Sequence, residues 1–136
     1  MSRFDWSEEN NKCFGCGDNR CGLKLDFKEN DDWIEARTRL DPVYQGFKKY
    51  AHGGIVATLL DEAAAWAIII QNNSIAPSYN INCKIRKPVP LQEKLLVRGR
   101  VKKIRHGIVF SEAELLDKNN NLLAEGSFKS KIMESE

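Results

Sequence analysis

One long apolar run dominates the pattern of hydrophobic and polar positions along this chain. Between residues 53 and 70, apolar and small side chains recur on nearly every side of a helix. The pair Asn72 and Asn73 follows and suits a left-handed cap. The pattern therefore predicts one long helix at the centre of the fold, wrapped by other structure. Its length and the charges of Asp61 and Glu62 argue against a membrane span.

The rest of the pattern is typical of strands. Apolar and polar residues alternate in six segments, at residues 23–28, 33–40, 78–87, 94–104, 108–116 and 122–133. One central helix wrapped by a curved antiparallel sheet of about six strands accounts for this order, which makes the fold class α+β. In a small domain the edges of such a sheet are commonly covered, or paired across a two-fold axis.

Length and charge narrow the possible functions. A chain of 136 residues has room for one core, so we expect a single domain over residues 1–136, with residues 1–12 as an N-terminal arm. The net charge of +2 does not favour a nucleic-acid partner.

The polar, mixed N-terminus has no apolar segment of the kind found in signal peptides, and a cytoplasmic location is the expectation.

Three of the four cysteines lie close together in the sequence. Cys13 and Cys16 have the spacing of half a zinc knuckle, and Cys21 follows nearby, whereas Cys83 is distant. A closed structural zinc site needs four ligands, and no second Cys-x-x-Cys or paired His follows. The sequence therefore favours a glycine-rich turn packed by small thiols, with no metal.

The start of the helix carries the candidate chemistry. Gly53 and Gly54 leave the backbone bare where the first N–H groups are free and where the helix dipole favours negative charge. Asp61 returns to the face of Gly54, about 10 Å along the axis. A carboxylate there must be hydrated, paired or chemically used. Two interpretations stay open: Asp61 is catalytic, or it hydrogen-bonds a facing strand of its own chain.

Several motifs together resemble a known family. The His-Gly-Gly run at residues 52–54 followed by Asp-Glu at 61–62, the Tyr-Gln-Gly at 44–46, and the Cys-Phe-Gly-Cys-Gly at 13–17 are similar to hotdog-fold acyl-CoA thioesterases. The nearest group is the phenylacetate-pathway (PaaI-like) type of the 4-hydroxybenzoyl-CoA thioesterase superfamily. The resemblance covers about residues 13–132. It implies a hotdog fold, an acyl-CoA substrate, and active sites at the interface of a homodimer or homotetramer.

The resemblance also implies roles for residues around the helix start. Gly53, with Gly54, would offer backbone N–H groups to the thioester carbonyl. Asp61 would act as general base or as nucleophile. His52 would order the loop and the helix entry. Glu62 points about 100° away from Asp61 around the helix, and we expect it to pair with a basic residue.

Five further residues are matched to substrate binding. Ser78 matches a polar residue that the partner's strand contributes in the family. Where related enzymes often have Asn before His-Gly-Gly, this chain has Gln45, whose amide offers the same hydrogen bonding. Asn80, Arg86 and Lys87 belong to the strand motif that the family shares, and basic side chains suit the phosphates of coenzyme A.

The resulting expectation is an acyl-CoA thioesterase that needs no cofactor, no metal, no nucleic acid and no membrane. Two alternatives remain. One is a hotdog module that binds acyl-CoA without hydrolysing it, which would have little use for a carboxylate near the thioester. The other is a hotdog enzyme of the enoyl-CoA hydratase type, whose Asp and His pairing does not stand out here.

Overall fold

A computed structural model describes residues 11–133 of the chain. It contains one long helix and six strands, and a short 3-10 helix at Pro42–Tyr44 precedes the long helix. The elements are β1 Lys28–Asn30, β2 Trp33–Thr38, α1 Gly53–Asn72, β3 Ser78–Ile85, β4 Leu95–Arg105, β5 Ile108–Asp117 and β6 Leu122–Lys131. Residues 1–10, most of the predicted N-terminal arm, lie outside the described part of the chain.

The six strands form one sheet in the order β1-β2-β4-β5-β6-β3, and every neighbouring pair is antiparallel. Helix α1 packs across this sheet, with its largest contacts to β4 and β5. The predicted α+β architecture, one helix against about six antiparallel strands, is confirmed. The strand that follows the helix, β3, lies at one edge and pairs with β6 alone among the described strands.

The apolar character of α1 is explained by this packing. Its 20 residues contain an 18-residue window of mean hydropathy 1.6, which would suit a membrane helix by length and composition alone. Leu59, Leu60 and Ile68 are nevertheless fully buried within the protein, as expected of a core helix. The length and charge of α1 alone do not exclude a membrane span, whereas its packing against the sheet identifies it as a core helix.

The helix is not covered on all sides within one chain. Gly53 and Gly54 are exposed, and Asp61 and Glu62 are half-buried. The N-terminal end of α1 is thus open to a ligand or a second chain, as the glycines at the helix start predicted. At the other end Asn73 adopts φ 47° and ψ 44°, which is the predicted left-handed cap.

The N-terminal hairpin is shorter than predicted. Residues 23–27 alternate in sequence but form no strand, and β1 begins at Lys28. The Leu23 and Leu25 N–H groups donate to the carbonyls of Phe14 and Gly15, at 2.8 and 2.9 Å. Because this segment bonds to the cysteine-containing turn, its backbone is unavailable to the sheet. Apolar alternation reports which side chains are buried and does not report the hydrogen-bond partner.

Candidate active site

The start of α1 leaves one backbone donor open. His52 is the N-cap, and its Nδ1 accepts from the Gly54 N–H at 2.9 Å. The His52 carbonyl accepts from the N–H groups of Ile55 and Val56. The Gly53 N–H has no acceptor among residues 11–133, and Gly53 is exposed. Of the two glycines, Gly53 is therefore the one whose N–H can bind a ligand without breaking the cap.

The loop before the helix holds His52 in place. The His52 N–H donates to the Tyr44 carbonyl at 2.8 Å, and the Gly46 N–H donates to the Tyr50 carbonyl at 2.9 Å. A Cβ on Gly46 would lie 2.8 Å from the His52 Cα. The Tyr-Gln-Gly motif thus closes a tight loop against the cap, which positions the first turn of α1.

A groove of about 380 Å³ opens at this helix end. It is mostly apolar and carries two cationic residues, and its lining consists of Phe47, Tyr50, Ala51, Gly53, Val56, Ile85, Arg86, Lys87, Pro88 and Val89. An apolar groove with a few polar groups is typical of a small-molecule site. A larger cleft of about 600 Å³, between the ends of β2 and β4 and the β5–β6 loop, is lined by no residue of α1 or β3. The smaller groove is therefore the better candidate.

Asp61 lies two turns along the helix. Its Oδ1 accepts from the Ser78 Oγ at 2.8 Å, and the Ser78 Oγ lies 3.3 Å from the Oγ of the buried Ser130. No donor to Oδ2 occurs within residues 11–133. One oxygen of the carboxylate is thus fixed by a facing strand, as one of the two interpretations expected, while the other can still take a proton. The Ser78 contact lies within one chain, whereas the resemblance implied a residue of the partner.

Cys83 on β3 lies close enough to Asp61 for that carboxylate to affect the pKa of its thiol. The pKa of the Cys83 thiol is raised, first by burial and second by that carboxylate. The helix-facing side of β3 therefore runs past Asp61. Its far end, Ile85, lies beside the helix start, because a Cβ on Gly53 would be 3.6 Å from the Ile85 Cδ1.

The distance between Gly53 and Asp61 limits what one chain can do. The two residues are eight positions apart on one helix, which corresponds to roughly 12 Å along its axis. A thioester carbonyl needs its donor and its attacking group each within about 3 Å of the reacting atoms. Gly53 and Asp61 of the same chain therefore cannot serve one carbonyl.

The remaining predicted residues are dispersed. Gln45 lines a separate depression with Lys48 and Lys49, outside the groove at Gly53. Asn80 lies on the outer face of the sheet beside Phe110. The structure brings neither of them to the groove or to Asp61 within one chain, whereas Arg86 and Lys87 line the groove.

Several of the basic residues on and beside the strands are paired. Arg98 and Arg100 form ion pairs with Glu114 and Glu112, at 2.7 and 2.6 Å, and both guanidinium groups stack on Trp33. Arg86 is paired with Glu125. Lys87 also lines the groove and forms no ion pair with any residue from 11 to 133. The pKa of Asp117 is lowered mainly by hydrogen bonds from Asn121 and, as a smaller cause, by the charge of Lys87, so Lys87 lies near an exposed carboxylate without forming an ion pair with it. Of the two cations at the groove, Lys87 is the one that can bind an anionic ligand without breaking an ion pair.

Glu62 has an environment that the sequence did not predict. Its carboxylate accepts from the thiols of Cys13 and Cys16 and, within the described chain, contacts no basic side chain. Burial raises the pKa of Glu62; the two thiol hydrogen bonds oppose this, and Asp61 adds to it. Burial, followed by the charge of Glu62, raises the pKa of Cys16. The expected pairing of Glu62 with a basic residue is wrong, because the helix turns this side chain toward the N-terminal turn.

An exposed helix start over an apolar groove, backed by a six-stranded antiparallel sheet, defines a hotdog-fold protein of the thioesterase class. A sequence model of the thioesterase superfamily matches residues 48–124, more than half of the chain. The chain belongs to the thioesterase superfamily.

Individual relatives agree with this assignment. The chain is 32% identical over 60 residues to mouse acyl-coenzyme A thioesterase THEM4, and the match covers 44% of this chain and 25% of THEM4. The match thus spans about a quarter of that relative's length. Escherichia coli PaaI superimposes with a TM-score of 0.72 at 18% identity, over 80% of this chain and 83% of PaaI. The protein smu.793 from Streptococcus mutans, bound to acetyl CoA, superimposes with a TM-score of 0.69 at 16% identity, over 80% and 88% of the two chains.

Proposed function

We propose that this protein hydrolyses an acyl-CoA thioester to a free acid and coenzyme A. The observation that carries the proposal is the Gly53 N–H, which donates to no acceptor among residues 11–133 and belongs to a residue that lines the groove at the start of α1. Membership of the thioesterase superfamily supports it. The thioester oxygen accepts from this N–H, and the positive end of the helix dipole stabilises the negative charge that develops on it.

Asp61 supplies the base. Its free carboxylate oxygen takes a proton from a water molecule, whose oxygen then adds to the carbonyl carbon. When the tetrahedral intermediate collapses, the carbon–sulfur bond breaks, and the thiolate of coenzyme A leaves and is protonated. Ser78 keeps the other oxygen of Asp61 in place. Direct attack by Asp61 would instead form an anhydride, and transfer of ¹⁸O from labelled water into the enzyme's carboxylate distinguishes the two routes.

A complete site requires two chains, because Gly53 and Asp61 of one helix are too far apart. The exposed edge strand β3 suits such a dimer. Its side chains Tyr79, Ile81 and Ile85 are 59%, 52% and 48% exposed, which is unusual for large apolar residues on a sheet edge. Pairing of β3 with the same strand of a second copy covers all three.

The direction of β3 would bring the two halves of the site together in that dimer. Ser78 at its start contacts Asp61, and Ile85 at its end lies beside Gly53. Antiparallel pairing about the middle of β3 sets Ser78 opposite the partner's Ile85. Asp61 then approaches the partner's Gly53, and each dimer contains two composite sites. A homodimer, or a homotetramer built from it, is the assembly that we propose.

The cationic residues at the groove select the nucleotide part of the substrate. Arg86 and Lys87 line the groove beside Gly53, and Lys87 forms no ion pair among the described residues. Their charges suit the phosphates of coenzyme A, while the apolar lining accepts the acyl chain or the pantetheine arm. The match to THEM4, an acyl-CoA thioesterase, supports this substrate class.

A cytoplasmic location is also proposed. All four cysteines are free thiols, which suits a reducing compartment. Fractionation of cells that produce the full-length protein would test this, and recovery in a membrane or secreted fraction would contradict it.

The reaction is tested by thiol release from a panel of acyl-CoA thioesters. We expect the wild type to turn over at least one member and Asp61→Asn to lose ~10²-fold or more, because Asn keeps the shape but cannot take the proton. Asp31→Asn, in the exposed β1–β2 turn, is the matched control and should keep full activity, because Asn also tolerates the positive φ of that position. A wild type that binds acyl-CoA without turnover would favour the binding module. Full activity in Asp61→Asn would place the base elsewhere.

A further inference from the structure

A second cluster of reactive side chains lies beside the proposed active site and takes no part in the reaction. Cys13 and Cys16 of the N-terminal turn meet Glu62 of α1, and the two sulfurs and one carboxylate oxygen all lie within 4.8 Å of one another. The Cys13 Sγ is 3.6 Å from the Glu62 Oε1. The ligands of a tetrahedral zinc ion are spaced roughly 3.5–3.8 Å apart, so small side-chain rotations bring all three atoms to that spacing.

The turn is built closely around the carboxylate. A Cβ on Gly15 would lie 2.3 Å from the Glu62 Cδ, so any side chain there would push Glu62 away. A Cβ on Gly17 would lie 2.5 Å from the Cys13 backbone nitrogen. The Gly17 N–H donates to the Cys13 carbonyl at 2.9 Å, and the Cys13 N–H donates to the Asn11 side chain at 3.1 Å. The backbone is therefore fixed with both sulfurs on the side where the carboxylate enters.

We propose that Cys13, Cys16 and Glu62 bind one Zn²⁺ ion, with a water molecule as the fourth ligand. Two thiolates favour zinc over magnesium or calcium, which prefer oxygen ligands. The indole of Trp66 hydrogen-bonds the Cys16 side chain and stacks on Phe27. This hydrogen bond orients the Cys16 sulfur, as groups beside a metal ligand commonly do.

The ion would fasten the N-terminal turn to α1. Within residues 11–27, Leu25 and Phe27 are buried in the core, and Leu23 packs against it. A zinc ion shared between the turn and the helix adds a link at Glu62, directly beside Asp61. The site is independent of the proposed reaction, because none of its ligands touches the groove at Gly53.

The test is metal binding by the reduced, metal-stripped full chain. Titration with Co²⁺ should give one equivalent of a tetrahedral complex with thiolate charge-transfer absorption, and Zn²⁺ should displace it. Zn²⁺ should also raise the midpoint of thermal unfolding, because it binds the folded state. Absence of the charge-transfer band in the folded wild type would overturn the proposal and leave the cluster as a hydrogen-bonded contact.

Variants separate this site from chance binding by thiols. Cys16→Ser should lose about half of the charge-transfer intensity, since one of two thiolates is removed. Glu62→Gln should keep both thiolates but bind Zn²⁺ at least ~10-fold more weakly, because it loses a charged ligand. Cys21→Ser, an exposed cysteine outside the cluster, is the matched control and should bind as the wild type does. Unchanged affinity in Glu62→Gln would show that the carboxylate is not a ligand and that the three-residue site is wrong.

Discussion

Two adjacent glycines at the start of α1 have different tasks. Gly54 gives its N–H to the His52 ring, and a Cβ there would lie 3.2 Å from the His52 Nδ1. Gly53 has its N–H free, and a Cβ there would meet one atom at an ordinary contact distance of 3.6 Å. Gly54 therefore makes room for the cap, and Gly53 presents the donor.

This difference allows the donor to be removed without removing the helix. Gly53 is the first residue of α1, a position where proline is well tolerated. His52 has φ −61° and ψ 139°, an extended conformation that suits a residue directly before proline. Gly53→Pro should therefore fold normally and lose ~10²–10³-fold in kcat, as expected for one oxyanion donor. Steady-state kinetics with thermal unfolding of the same samples would measure both.

Gly53→Ala is the matched control for that experiment. It adds a Cβ at an ordinary contact distance from Ile85 but keeps the N–H, so its kcat should stay within a few-fold of wild type. If both variants lose activity equally, bulk in the groove explains the loss, and the N–H is not the donor that matters.

For single residues, the sequence singles out the candidates for catalysis but does not predict which side chains they contact. Asp61, Gly53 and His52 stand out because of their spacing from one helix start. The partners of Asp61 and Glu62 do not, since Ser78 lies 17 positions and Cys13 lies 49 positions away along the chain. Contacts between such distant positions depend on how the helix is rotated on the sheet, which a single sequence does not state.

Among the elements, the contact between α1 and β4 is the tightest. A Cβ on Gly99 of β4 would lie 2.5 Å from the Ala63 carbonyl oxygen and 2.6 Å from its carbon. Both are backbone atoms of the helix and cannot turn aside. The glycine thus sets how near the helix lies to β4.

Gly99→Ala should therefore lower the free energy of unfolding by at least ~1–3 kcal/mol, the usual cost of overpacking a core. Denaturant unfolding would measure it. Gly107→Asn is the control: Gly107 has φ 77° with nothing within 4 Å, and Asn tolerates that conformation, so stability should change little. A stable Gly99→Ala variant would show that the helix can move away from the sheet without cost.

Sequence periodicity predicted the elements well where a strand pairs within the sheet. The helix, its asparagine cap and five of the six strands lie within a few residues of their predicted positions. The exception is the segment 23–27, which alternates because Leu25 and Phe27 are buried. Its backbone N–H groups donate to the carbonyls of Phe14 and Gly15 in the turn. Alternation of apolar and polar residues does not predict this hydrogen-bond partner.

For the whole molecule, the main consequence of the proposed reaction is that each active site would be shared between two chains. Neither the groove at Gly53 nor the carboxylate of Asp61 is a complete site in one chain, given the roughly 12 Å between them along the helix. The dimer was suggested by the family resemblance, and the geometry of α1 and β3 gives it a physical reason. Without a second copy the chain would hold an oxyanion donor at the start of α1 and a base two turns further along the same helix.

Mixing two inactive variants tests this sharing directly. Asp61→Asn and Gly53→Pro are each expected to be inactive alone. When they are refolded together and pair at random, half of the dimers are mixed, and each mixed dimer has one site with both groups intact. We therefore expect activity to return to about a quarter of the wild-type value per chain.

A second mixture provides the control. Gly53→Pro refolded with the double variant Gly53→Pro, Asp61→Asn has no intact site in any pairing and should stay inactive. Gel filtration must show that dimers have re-formed in both mixtures. If dimers re-form and the first mixture also stays inactive, donor and base come from the same chain, and the β3-paired dimer is the wrong assembly. Recovery in the first mixture alone would establish that Gly53 and Asp61 act across the two-fold axis, since no other pairing unites two intact groups.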